Sequence, residues 1–327
     1  MEWLAGNRLR GTTAERPALG LPSGSVGGWV ELGRTTLGSV NDYVQVSSLP
    51  DKRYYMVLSD VVGTGSGVNF EKRVGNSGID TGSNYATRYS VQGGADTTTT
   101  SQTSFVFGFG GVGTNPTFSV DYLANLSNKE KLMISHLNHQ ATAGAGTVPS
   151  RAEVVGKWTN TTNPITDIAA FNSGSSDWAV GSEVVVLGWD PADTHTTNFW
   201  EELASVELGS SGDNISSGTI TGKKYLWIQA YIIPTGTVNS GIRFNNDSTT
   251  NYGLRYSVAG AADATATADN IGLESGSITT PNFINMFCIN NASNEKIGWL
   301  HGVKQSTAGA ATAPNRLEQA HKWANTS

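Results

Sequence analysis

Apolar residues along this chain fall in short runs that alternate with polar ones, and the alternation has a period of two. In NYATRYSV, Tyr85, Thr87, Tyr89 and Val91 take one side, while Asn84, Ala86, Arg88 and Ser90 take the other. NYGLRYSV repeats the arrangement with Tyr252, Leu254, Tyr256 and Val258 on the apolar side. That periodicity predicts half-buried β-strands. Phe105, Phe107 and Phe109 alternate in the same way, and the run from Glu183 to Trp189 is as clear a strand as the chain contains. In NKEKLMISHLNH, Leu132, Ile134 and His136 share a face, as do Ile297, Trp299 and His301 in NEKIGWLHGV. GGAD after Val91 and GAAD after Val258 supply turns, and Pro149 and Pro314 each precede a strand start. Helical periodicity is weak. Its best instance is TNFWEELASV from Thr197, and even there the matching segment WVELGRTTL predicts a strand.

The alternating pattern is written twice. TAGAGTVPSRAEVVGKWTNT (Thr142 to Thr161) recurs as TAGAATAPNRLEQAHKWANT (Thr307 to Thr326), which matches Arg151 with Arg316, Glu153 with Glu318 and Trp158 with Trp323 at an offset of 165. The offset is 167 between the two NYxxRYSV blocks and 171 between WVELGRTTLGS at Trp29 and WEELASVELGS at Trp200. Offsets that shrink in steps mean loop insertions between fixed strands. The expected architecture is all-β: tandem duplicated jelly-roll-like β-sandwiches at about 29–191 and 199–327, preceded by an extended N-terminal arm over residues 1–28. The arm reading rests on ERPALGLPSGSVGG, where proline and glycine disfavour a compact helix. NPITDIAAFN and GSEVVVLGWDP, which end the first copy, have no counterpart in the second before Ser327. A sandwich without those strands leaves an unpaired edge. The arm, a neighbouring subunit or further residues are the three ways of closing it.

Composition narrows the function. Glycine, serine, threonine and asparagine abound, and charged residues make up 15% of the chain, with a formal net charge of −6 and no basic tract. A surface that tracks phosphates needs clustered lysine and arginine, so nucleic acid is not an expected partner. No apolar run approaches the roughly 20 residues of a membrane span, so no membrane partner is expected either. The opening MEWLAGNRLRG lacks the apolar core of a signal peptide. The single Cys288, in FINMFCIN, reads as a buried structural thiol.

Candidate chemistry is sparse. Acidic residues are scattered, and no pair reads as the two carboxylates of a glycosidase. His136 and His139 lie three apart, but the second copy keeps only His301, with Lys304 in place of His139. Hydrogen-bonded core histidines are expected at 136 and 301, and no metal ligands or cofactor are assigned. GFGGVG from Gly108 is not followed by a helix, which favours a hairpin or bulge over a phosphate cradle. TAGAGT reads as a tight turn. Arg151 with Glu153, and Arg316 with Glu318, stand two apart on a strand face as structural ion pairs. Tyr85, Tyr89 and Trp158, with Tyr252, Tyr256 and Trp323, are the expected core of the two repeats. Exposed tryptophans could instead stack on sugar rings.

The strings from Asn76 to Thr97, Ser127 to Leu132, Thr142 to Thr161 and Gly181 to Pro191, with the leader NRLRGTTAERPAL from Asn7, resemble a repeated β-sandwich module of virion structural proteins from tailed phages, particularly marine ones. The resemblance covers nearly the whole chain. It implies a non-enzymatic component of the virion (a capsid decoration, fibre or tail-associated subunit) and no catalytic residues. Its implied partners are further copies of the chain, as a homo-oligomer, and other virion proteins. The alternative reading is a carbohydrate-binding or adhesin module that contacts a host-surface glycan.

Overall fold

The computed structural model describes residues 28–190, 193, 198–273, 280–305, 310 and 312–326. The expected arm lies outside them except for Gly28. The described chain is all-β, with twenty strands and no helix, and hence no helix long and apolar enough to cross a membrane. In the first repeat the strands are β1 (Val30–Thr36), β2 (Tyr43–Val46), β3 (Tyr54–Val61), β4 (Asn69–Gly75), β5 (Tyr85–Val91), β6 (Thr97–Gln102), β7 (Phe105–Gly110), β8 (Thr117–Ala124), β9 (Lys131–His139), β10 (Ser150–Trp158), β11 (Asp167–Asn172) and β12 (Glu183–Trp189). In the second they are β13 (Tyr225–Ile232), β14 (Gly241–Ile242), β15 (Tyr252–Val258), β16 (Ala264–Ala268), β17 (Ile271–Gly272), β18 (Asn282–Ile289), β19 (Lys296–Lys304) and β20 (Asn315–Trp323).

The first repeat is a sandwich of an eight-stranded sheet, ordered β1-β12-β3-β8-β9-β10-β5-β6, over a four-stranded sheet, ordered β2-β11-β4-β7. Its core is the set of inward alternates: Tyr55, Val57 and Val61 from β3, Phe105 and Phe107 from β7, and Val184 and Val186 from β12. Gly108 has a φ of 66° where β7 bulges against β4, with Phe109 opposite Phe70 and Val106 opposite Glu71. A left-handed residue at a bulge suits glycine.

The second repeat keeps this design in part. Its six-stranded sheet runs β13-β18-β19-β20-β15-β16, which is the order of β3-β8-β9-β10-β5-β6, and β14-β17 stands for β4-β7. Register is preserved as well. Tyr85 lies opposite Trp158 and Tyr252 opposite Trp323, while His136 faces Glu153 and His301 faces Glu318. No strand among the described residues corresponds to β1, β2, β11 or β12.

That absence explains where WEELASVELGS departs from the expected strand. In the first repeat β1 pairs with β12 alone and β2 with β11 alone. Without those partners a strand has nothing to satisfy its backbone groups except water, and residues 201–222 are irregular and largely exposed.

The two repeats pack face to face. Met56, Leu58, Phe118, Val120, Val185 and Leu187, on the outer face of the eight-stranded sheet, form one apolar cluster with Tyr225, Phe287, Ile289, Ile297 and Trp299. The large sheet is therefore buried on both faces at β3, β8 and β12, which is why β3 opens on the apolar run Tyr54–Leu58 and β12 carries Val184–Leu187. The block has four layers of sheet.

Candidate functional site

Two places gather the side chains singled out by the sequence. The first is the corner where β5 begins and β10 ends. Trp158 is 1% exposed and donates its indole N–H to Asp80 Oδ2 at 2.7 Å; Trp323, 3% exposed, does the same to Asp247 Oδ2 at 2.7 Å. Asn84 and Asn251 add amide donors to the same oxygens at 2.9 and 3.0 Å. The Tyr85 hydroxyl donates to the Val74 and Asp80 carbonyls, and the Tyr252 hydroxyl reaches the Asp247 carbonyl at 3.3 Å. Burial opposes ionisation of Asp80, but the donors Trp158, Asn84 and Gly82 outweigh it and hold the carboxyl below its ordinary value. Asp247 is held lower still by Thr249, Trp323 and Asn251. These corners are locks within each sandwich, and the enclosed Trp158 and Trp323 present no ring face to a sugar. Tyr89 and Tyr256 pack, partly buried, against the edges of their respective cores.

The second place is the seam between the repeats, where equivalent residues meet. The rings of His136 and His301 touch edge to face with centroids 4.3 Å apart, and His136 stacks on Trp299 at 4.6 Å. Arg151 is fixed by Asp263 through Nη2 to Oδ1 at 2.6 Å and Nε to Oδ2 at 3.0 Å. Its Nη1 bonds Glu153 and lies 3.7 Å from Glu318 Oε2. Arg316 pairs with Glu318 at 2.7 Å. The ion pairs within each strand are thus part of one network that crosses the seam.

The histidines correct the sequence reading. They were expected in the cores with hydrogen bonds, yet they sit on the outer face of their sheets, and His136 Nδ1 has no partner. The face itself was misread in the first repeat: Leu132 and Ile134 point to solvent, while Met133 and Leu137 enter the core. Both alternates of β9 are apolar, so period alone could not choose between them. In the second repeat the equivalents Ile297 and Trp299 are buried because the first repeat covers them. Burial, with His301 and Arg151 nearby, pushes His136 down to about 3, and burial lowers His301 against the pull of Glu318.

One ligand atom each from Glu153, His301 and Glu318 lies within 4.8 Å of the others, a spacing that can hold a divalent cation. The Arg151 guanidinium already supplies positive charge at both carboxylates. The adjoining cavity, lined by His136, Glu153, Trp299 and His301 among others, measures about 10 Å³, the space of a single water.

Three further contacts cement the seam, and no pattern along the chain marks them. Lys224 Nζ bridges Asp60 Oδ2 at 3.0 Å and Glu183 Oε1 at 2.9 Å, and the Tyr225 hydroxyl donates to Glu183 at 2.7 Å. Burial opposes it, yet Tyr225 and Lys224 hold Glu183 down at about 2. The TAGAGT turn leans on the second repeat, with Gly144 N–H donating to Glu295 at 2.5 Å and the Ala145 carbonyl accepting from Thr267 at 3.0 Å. Asn138 donates to the Gly298 and His321 carbonyls. Asp80 and Asp247 could have been found from sequence, since Asp80, Asn84 and Tyr85 recur as Asp247, Asn251 and Tyr252 at one offset of 167. The chain matches no family model, no curated protein and no solved structure in the three comparisons made with it.

Proposed function

We propose that the chain is a non-enzymatic structural subunit of a phage particle, assembled in multiple copies as a decoration, fibre or tail-associated protein. The observation that carries this reading is the fate of its reactive side chains. Arg151, Glu153, His136, His301 and Glu318, with Asp60, Glu183 and Lys224, are engaged with one another across the seam. Their chemistry is spent on fusing two sandwiches into one four-layered block. A block of that kind suits a building element, whose job is to hold its shape under load and offer surfaces to neighbours. The sequence resemblance to phage structural modules points the same way.

The test is mass spectrometry of purified particles whose genome encodes this chain. Its peptides are expected in the particle fraction at a copy number well above that of minor enzymes. Peptides confined to the lysate, with none in the particles, would sink the proposal.

A further inference from the structure

The core of the first sandwich holds a lysine and an aspartate that no seam contact employs. Lys72 alternates along β4 with Phe70 and Val74, which enter the core, and so points inward with them. Asp121 stands on β8 two residues before the core residue Leu123 and points inward from the opposite sheet. Lys72 is 2% exposed and Asp121 1%, and Nζ lies 2.6 Å from Oδ2 across the interior. Oδ2 nevertheless has no hydrogen-bond partner of ordinary geometry, so the contact is close without being directed as a hydrogen bond. The buried hydroxyls of Ser59, Ser119 and Ser135 complete the cluster. Ser59 accepts from Lys72 Nζ, and Ser135 donates to Asp121 Oδ1.

The second repeat shows that the fold does not need this cluster. The Val74 N–H donates to the Tyr85 hydroxyl and the Phe244 N–H to the Tyr252 hydroxyl, which aligns Lys72 with Ile242. Strand register aligns Asp121 with Met286, Ser59 with Ala230, Ser119 with Ile284 and Ser135 with Leu300. Apolar side chains thus stand at every one of these positions and pack as one core. A buried ion pair contributes little beyond what well-packed apolar residues of similar volume contribute. Stability alone therefore does not explain the pair. Other buried lysines end on backbone carbonyls, as Lys131 does at Leu126 and Lys296 at Asn294, whereas Lys72 ends on a carboxyl group.

The geometry points to an intramolecular amide: Lys72 and Asp121 condense to an isopeptide bond that joins the two sheets of the first sandwich. An amine attacks only as the free base, and burial lowers the Lys72 ammonium toward that form. Within the pair the ammonium passes a proton to the carboxylate, which leaves two neutral groups and no charge in the apolar core. The Nζ lone pair then adds to Cγ, one bond beyond Oδ2, while the Ser135 hydroxyl steadies the charge that gathers on Oδ1. The Cγ–Oδ2 bond breaks as a second proton moves from the nitrogen to that oxygen, with Ser59 Oγ, in contact with Nζ, as the relay. One water leaves, the amide keeps one N–H, and the balance needs no oxidant, reductant or cofactor. Holding the two groups in contact supplies the proximity that such a step requires. The bond is a property of the fold and does not rest on the assembly reading, although a covalent tie suits a subunit that must hold its shape.

The test is mass spectrometry of the purified, folded full chain and of two variants. The natural chain is expected to weigh about 18 Da less than its sequence, the mass of one water. After unfolding and trypsin digestion, the peptides carrying Lys72 and Asp121 are expected as one branched species, uncut after Lys72. Lys72→Arg keeps the charge, but its guanidinium does not form the amide. The double variant Lys72→Ile, Asp121→Met copies the second repeat and keeps an apolar core, so it serves as the reference if Lys72→Arg misfolds. Both variants are expected to show the full sequence mass, with the two peptides separate. A natural chain of full mass after prolonged incubation in the folded state overturns the inference and leaves a buried ion pair. So does a water loss that maps to other residues or persists in either variant.

Discussion

Asp80 accepts the indole N–H of Trp158 at 2.7 Å, and this one bond ties the loop before β5 to the last residue of β10. Trp158→Phe removes the donor while keeping most of the buried ring. A hydrogen bond to an ionised acceptor contributes about 1.5–3 kcal/mol, and Asp80 retains Asn84 and Gly82 as donors. The expected loss is therefore near the lower end, about 1.5 kcal/mol, read as a lowered urea midpoint with an unchanged slope. Trp323→Phe is expected to act in the same direction in the second repeat.

Acid sensitivity is expected to begin before the carboxylates titrate. Burial pushes His136 and His321 down to about 3 and His139 to about 4, and it lowers His301 as well. The unfolded chain protonates these residues near the ordinary value of about 6.5. A depressed folded value means that their contribution is complete above about 6.5 and is lost progressively as pH falls toward about 3 to 4. Glu183, held at about 2, contributes fully above its ordinary value of 4.5 and loses that contribution only below it. The interval from about 6.5 to 4.5 is therefore where the histidines act, at a cost on the order of 1 kcal/mol or more for each of His136, His139 and His321, with His301 acting in the same direction. Urea midpoints measured at half-unit steps should fall across this interval. His136→Phe should flatten the fall, and an unaltered profile would refute the assignment.

Lys224 is the cation on which two buried carboxylates of the other repeat depend. Lys224→Met leaves Asp60, which is buried, with Asn291 as its remaining side-chain donor. Removing one partner of a buried pair costs about 3 kcal/mol, more than the pair itself contributes. The double variant Lys224→Met, Asp60→Asn should recover part of that loss. A double-mutant cycle by chemical denaturation measures the coupling, and additive losses would mean that the two groups do not interact.

Much of this fold is legible in the residues. Tyr85, Thr87 and Tyr89 announce a half-buried strand by their period, and matched offsets announce the duplication before any coordinate is drawn. What the period cannot show is which of two apolar faces turns inward. Along β9, Met133 and Leu137 enter the core while Leu132 and Ile134, equally apolar, stay in water. Nor does local pattern show the contacts between repeats. Ile297 and Trp299 are buried by a neighbour distant in sequence, and Lys224 finds its carboxylates there too. The segment matching β1 carries a strand pattern and forms no strand, because pairing is a property of two segments and no partner strand for it lies among the described residues. The ion pairs at Arg151 and Arg316 could be read from spacing, but Asp263, which anchors Arg151 from the other repeat, could not.

Cys288 gives a direct readout of how tightly the second sandwich is closed. Its thiol lies in the core between the six-stranded sheet and β14-β17, is 1% exposed, and is pushed by burial up to about 12. Only the thiolate reacts with disulfide reagents, so the native chain is expected to be inert at pH 8 on a timescale at which the urea-unfolded chain reacts at once. Slow native labelling then reports opening of the sandwich. The face beside Leu226 and Ile228 is half covered, so opening there, and with it labelling, should be faster than global unfolding by about tenfold or more. Labelling of the native chain no faster than global unfolding, timed by urea-jump kinetics, would show that this face does not open by itself.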